Sequence, residues 1–156
     1  MVVSFIIVIF VAKYKLMTLQ EIEKKIQYLR NEKQLKVVFP EGITPLQKVV
    51  LNNIETGSNY NVISLLIYIQ ALGYQFILNN KEIKTLEDLG NELTSIRKEC
   101  QMTQFDIQVK ASITPSRIIS IEKGRGYRRD TLLSYLSALQ KNIEFNLKPK
   151  YDFLEQ

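Results

Sequence analysis

Apolar positions recur every three to four residues through Leu19 to Lys33, Val62 to Leu72, Leu86 to Cys100 and Asp130 to Gln140, which is the period of amphipathic helices. After the second of these stretches comes Tyr74-Gln-Phe-Ile-Leu78, rich in β-forming residues, and after the fourth Ile143-Glu-Phe-Asn-Leu147 alternates strictly. Both predict short strands, whose edges pair either within the chain or across a dimer. Asn79-Asn80-Lys81 reads as a joint.

A different pattern fills Met102 to Arg129. Thr103 is placed to cap a short helix whose first turn holds Gln104 and Asp106, where a side-chain oxygen satisfies free N–H groups and a carboxylate suits the positive end of the helix dipole. Ala111-Ser112-Ile113 leads into Thr114-Pro115, a second start signal with Thr as cap and Pro at the first helical position. The helix that follows is expected to run to Gly124. Ile118 and Ile121 on it, with Ile113 just before its cap, are expected to pack inward, and Ser116, Arg117 and Ser120 share another face that is small, polar and positive.

The chain also repeats itself. An ungapped offset of 67 residues places Thr18-Leu19 on Thr85-Leu86, Arg30 on Arg97, Ile54-Glu55 on Ile121-Glu122, Gly57 on Gly124, Tyr60 on Tyr127, Leu65-Leu66 on Leu132-Leu133, Tyr68 on Tyr135 and Ala71-Leu72 on Ala138-Leu139. A register that retains glycine, tyrosine and charged positions points to duplication. The copies differ at the short helices. In place of Gln104 to Ser112 the first has Val37 to Pro45, where Pro40 and Gly42 forbid a comparable helix and Leu35 to Phe39 reads as a strand. Its next helix, Leu46 to Asn53, retains only Lys48 as a positive charge.

Thr103-Gln104, Ile107, Ala111, Ile113-Thr114-Pro115-Ser116, Ile118, Ile121-Glu122, Gly124, Thr131-Leu132-Leu133 and Ala138-Leu139 stand in order and without gaps. On these residues the chain resembles the phage-repressor helix-turn-helix family, Cro-like or of the xenobiotic-response-element (XRE) type. It departs from the family at Gln108, where Ala is usual, and at Ser112, where Gly is usual. The resemblance implies a mainly α fold of two tandem lambda-repressor-like helix-turn-helix bundles, each followed by a short β-strand. On this reading residues 17–82 are expected to be a degenerate copy serving packing or dimerisation, 83–148 a DNA-binding copy, and 149–156 a tail. It also implies a salt bridge in each copy, Arg30 with Glu55 and Arg97 with Glu122, that locks the bundle.

Charge sharpens this expectation. The 156 residues carry a net charge of +5, and the window from Arg97 to Arg129 holds five of the six arginines and accounts for all of that excess. Such clustering is the footprint of phosphate contact. The resemblance places Ser116, Arg117 and Ser120, with Thr114 at the helix start, at base edges in the major groove, Arg117 being able to grip a guanine bidentately. It places Gln104 at the backbone or a base, and Lys123, Arg125, Arg128 and Arg129 on phosphates. Double-stranded DNA is thus the expected partner, read by a repressor-like regulator, with a homodimer expected for a palindromic site. An antitoxin-like or anti-repressor module with a toxin or other protein partner is the competing expectation.

The absence of His excludes His-based acid–base chemistry and His-ligated metals. The lone Cys100 forms no internal disulfide or multi-thiolate zinc site. Glycines form no phosphate loop and no carboxylate pair stands out, so neither an enzyme nor a cofactor is expected. Met1 to Ala12 is almost wholly apolar but too short to span a bilayer unaided, and lacks the basic start of a signal peptide. Three readings stay open for residues 1–16: an over-extended start before Met17, a packed apolar arm, or a shallow membrane anchor. The expected location is cytoplasmic, and a membrane is not an expected partner.

Overall fold

The computed structural model describes residues 16–32 and 47–150. The Met1 to Ala12 stretch, the expected strand Leu35 to Phe39 with Pro40 and Gly42, and residues 151–156 of the tail lie outside them. The described chain is mainly α, with seven helices (61% helical) and a small three-stranded antiparallel sheet. The order is α1 (Leu19–Glu32), α2 (Gln47–Thr56), α3 (Val62–Ala71), β1 (Tyr74–Leu78), β2 (Lys81–Glu82), α4 (Leu86–Glu99), α5 (Gln104–Ala111), α6 (Pro115–Glu122), α7 (Arg129–Ala138) and β3 (Phe145–Pro149).

Local chemistry sets several of the helix starts. Thr18 and Glu21 open α1 with reciprocal bonds, the Thr18 N–H donating to Glu21 Oε2 (2.8 Å) and the Glu21 N–H to Thr18 Oγ1 (3.3 Å). Thr85 with Asp88 and Thr103 with Asp106 form the same capping box at α4 and α5. Each box satisfies two N–H groups that the first turn leaves free. Past each start the apolar stripe turns inward: Leu19, Ile22, Ile26 and Leu29 of α1 and Leu86, Leu89, Leu93 and Ile96 of α4 are buried in one continuous core.

The sheet has the order β2-β1-β3. Asn79 and Asn80 both take positive φ (50° and 61°) and form the two-residue hairpin turn that joins β1 to β2, a geometry Asn tolerates better than most residues. β3 forms two residues later than Ile143 to Leu147. Its register is decided by β1, which sets Phe76 opposite Leu147 and Leu78 opposite Phe145, all four buried. The rings of Phe76 and Phe145 stack at 4.8 Å, and Tyr74 opposite Pro149 extends the ladder beyond the alternating segment. The two strands expected to pair within the chain or across a dimer therefore pair within it.

Helices α4 and α6 cross closely because Gly90 has no side chain. A Cβ there would press on the carbonyl oxygen of Ile121 and lie 2.6 Å from that of Glu122. Gly90→Ala is thus expected to destabilise by about 1–3 kcal/mol through overpacking, despite alanine's better helix propensity, because backbone carbonyls cannot swing aside. A urea titration checks it. Unchanged or raised stability would mean that the crossing can widen.

Candidate nucleic-acid interface

Helices α5 and α6 are joined by a short turn that the sequence builds residue by residue. Ser112 ends α5 in the left-handed region (φ 54°, ψ 39°), its N–H bonded to the Gln108 carbonyl. A non-glycine residue there costs about 1–2 kcal/mol. Ile113 then turns into the core, and Pro115 opens α6. Thr114 occupies the N-cap position, but no side-chain cap bond forms; its hydroxyl lies 3.2 Å from that of Ser116. Ile118 and Ile121 are buried, Ser116 and Arg117 exposed, and Ser120 half-buried with its hydroxyl donating to the Ser116 carbonyl at 2.9 Å. The structure thus brings Thr114, Ser116, Arg117 and Ser120 to one outward face.

A buried polar cluster holds that face in place. Arg97 of α4 donates from Nε to Glu122 Oε1 (2.6 Å) and from one terminal nitrogen to Oε2 (3.1 Å), and its other terminal nitrogen donates to the Met102 carbonyl (2.8 Å). Gln104 of α5 donates to Glu122 Oε2 at 2.7 Å, and the Tyr135 hydroxyl of α7 to Oε1 at 2.7 Å. Four helices meet on one carboxylate at the end of α6. Burial alone would raise the Glu122 carboxyl, but the bonds from Arg97, Gln104 and Tyr135 outweigh it and hold the group below its ordinary value. The arginine and tyrosine bonds recur 67 residues earlier, where Arg30 grips Glu55 through two nitrogens, the second at 3.0 Å, and Tyr68 donates to it at 2.8 Å. Both ion pairs expected from the resemblance are formed. Gln104 is committed to Glu122 and so sits as a brace between α5 and α6.

Beyond α6, Gly124 at φ 70° turns the chain, and Lys123, Arg125 and Arg128 are exposed in the segment that follows, Arg128 with one terminal nitrogen donating to the Asn59 carbonyl at 3.4 Å. Arg129 is not with them. Its guanidinium is buried and bidentate on Glu23 of α1, Nε to Oε2 at 2.9 Å and a terminal nitrogen to Oε1 at 2.9 Å. That corrects its expected place on phosphates: its guanidinium is buried and its charge is already paired with Glu23, so it does not stand on the surface with the other cations. The signal for this lay in α1, where Glu23 stands on the same stripe as Leu19, Ile22 and Ile26, a position no solvated carboxylate occupies. Sequence reasoning also missed Asn59, whose carbonyl oxygen Oδ1 accepts the Asp130 N–H at 3.3 Å in the first turn of α7.

Among the described residues no group of His, Cys, Asp and Glu is placed to hold a metal, and no helix is long and apolar enough to cross a membrane. The site's means are therefore a short helix offering hydroxyls and one guanidinium, and a neighbouring loop offering three cations. Comparison with family models, with curated proteins and with solved structures found no match to the chain.

Proposed function

We propose that the protein is a sequence-specific DNA-binding regulator, repressor-like, built as two tandem lambda-repressor-like helix-turn-helix bundles of which the second reads DNA. One observation carries the reading: the exposed Ser116–Arg117 face of α6 runs directly into the exposed cations Lys123, Arg125 and Arg128, while Glu122 beneath it is clamped by three neighbouring helices. In this reading α6 enters the major groove, Arg117 addresses a guanine edge, Ser116 and Ser120 make closer contacts, and the loop cations hold phosphates. The rigid clamp lets a short helix keep its depth and angle.

Arg117→Ala is expected to relax preference at one or two base positions, losing about 1–3 kcal/mol on the best site and little on random duplex. Arg125→Ala should weaken all sequences alike and lower the slope of log affinity against log salt by about 0.9. Selection from a random duplex pool, followed by titration at several salt concentrations, separates the two. Matching sequence profiles for both variants, or affinity independent of salt, would count against the reading.

Phe105 and Val109, one turn apart on α5, are exposed (67% and 62%) and favour a second reading, the antitoxin-like or anti-repressor module in which a protein partner covers this helix. Loss of regulation from Phe105→Ser with DNA affinity unchanged would support it.

A further inference from the structure

The two halves of this chain meet as the subunits of a symmetric dimer do. The Val62 N–H donates to the Tyr127 carbonyl (3.0 Å) and the Arg129 N–H to the Tyr60 carbonyl (2.8 Å), with Asn61 bridged to Arg128 between them. Moving each residue by the offset of 67 turns one of these bonds into the other, which is the mark of a two-fold axis: residue i contacts j, and j contacts i. The antiparallel β1–β3 pairing joins the same halves, and the Glu23–Arg129 pair crosses between them.

The free edges of that sheet are short or bridged at one end. β2 is two residues long, and the outer side of β3 carries the bridge between Met17 and Phe145 (2.8 and 2.7 Å). The surface through which a single-copy ancestor would dimerise is therefore filled from within one chain. The corresponding reading surface of the N-terminal half is blank: Val49, Val50 and Asn53 stand where the other half has Ser116, Arg117 and Ser120, and Thr56, Ser58 and Asn61 replace Lys123, Arg125 and Arg128. Val49 is 61% exposed, an apolar side chain where a polar contact would be needed.

Resting on the DNA-reading function above, we propose that one chain is the complete binding unit and that its target is an asymmetric site, read in one half only. The second chain expected for a palindromic operator is then not used. A two-fold dimer reads two half-sites about 34 Å apart; this molecule has the axis but only one reader.

The test uses the full chain and a random-sequence duplex library. The sequences enriched should contain one non-repeated motif, and sedimentation of the chain with the winning duplex should show one chain per duplex at concentrations well above the dissociation constant. Lys48→Ala and Val49→Ala should leave the enriched motif unchanged and affinity within about twofold, whereas Arg117→Ala changes the motif. Two chains on a palindromic motif would overturn the single-chain proposal while leaving the DNA reading intact. A motif altered by Val49→Ala, or affinity lost in Lys48→Ala with the fold retained, would overturn it as well, by showing a second reader. No enrichment at all would overturn the DNA reading, and this proposal with it.

Discussion

Glu23→Ala is expected to destabilise the protein by about 3–5 kcal/mol, the cost of leaving a buried guanidinium without its partner. Arg129 and Glu23 are 106 positions apart in sequence, both are buried, and two of their bonds are 2.9 Å long. Both side chains are largely removed from water, so removing either member leaves a buried charge without its bidentate partner, although polar neighbours such as Gln20, Lys24 and Asp130 stand close by. Arg129→Ala should cost a similar amount, and the double variant less than the sum of the two, because each single loss includes the stranded partner. Urea denaturation of all three variants measures this. Single losses under about 1 kcal/mol would mean that solvent reaches the pair after all. An apolar replacement of both, Glu23→Leu with Arg129→Met, should restore most of the stability, as buried pairs often add geometry rather than net energy. For DNA binding, Arg129→Ala should act through the fold, and its effect should track the unfolded fraction and not the salt slope.

Arg97→Ala should cost about 3–5 kcal/mol, whereas Arg30→Ala, at the equivalent position, should cost about half as much. The arginine–glutamate and tyrosine–glutamate bonds are the same in both; the largest difference is solvent. The Arg97 and Glu122 side chains are 9% and 6% exposed, while Arg30 is 34% exposed opposite a Glu55 at 7%. Arg97 also donates to the Met102 carbonyl, which no other side chain serves among the bonds described.

Acid should reveal the same pair of carboxylates. Burial opposes ionisation of Glu55 and Glu122, but their bonds to arginine and tyrosine prevail and hold both below the ordinary 4.5. A depressed carboxylate contributes stability that is fully present above pH 4.5 and is lost as pH falls through the lowered folded-state value. Stability should therefore decline below pH 4.5, and Glu122→Gln should flatten that decline while lowering stability at neutral pH. An acid limb unchanged in Glu122→Gln would show that other groups cause it.

The sequence alone determined what depends on near neighbours. The capping boxes at Thr85 and Thr103 act over three residues, and Pro115 acts on its own turn, so α4, α5 and α6 begin where their residues say. The 67-residue register, with a resemblance beside it, was enough to match Arg30 with Glu55 and Arg97 with Glu122, because a repeated spacing carries contact information that a single spacing does not. Tertiary structure decided the rest. Nothing within β3 distinguishes Ile143 to Leu147 from Phe145–Pro149; the buried face of β1 does, since a strand's register belongs to its partner. The close α4–α6 crossing at Gly90 needs the path of a helix about thirty residues away, and a lone glycine in a helix does not announce it. Arg129 is the sharpest case: its neighbours Arg125 and Arg128 are exposed, and only the docking of α1, a hundred residues upstream, places Glu23 beside it and turns an expected phosphate contact into an internal tie. Short-range chemistry is written in the chain order, whereas the partner of a charge is settled by which surfaces the core brings together.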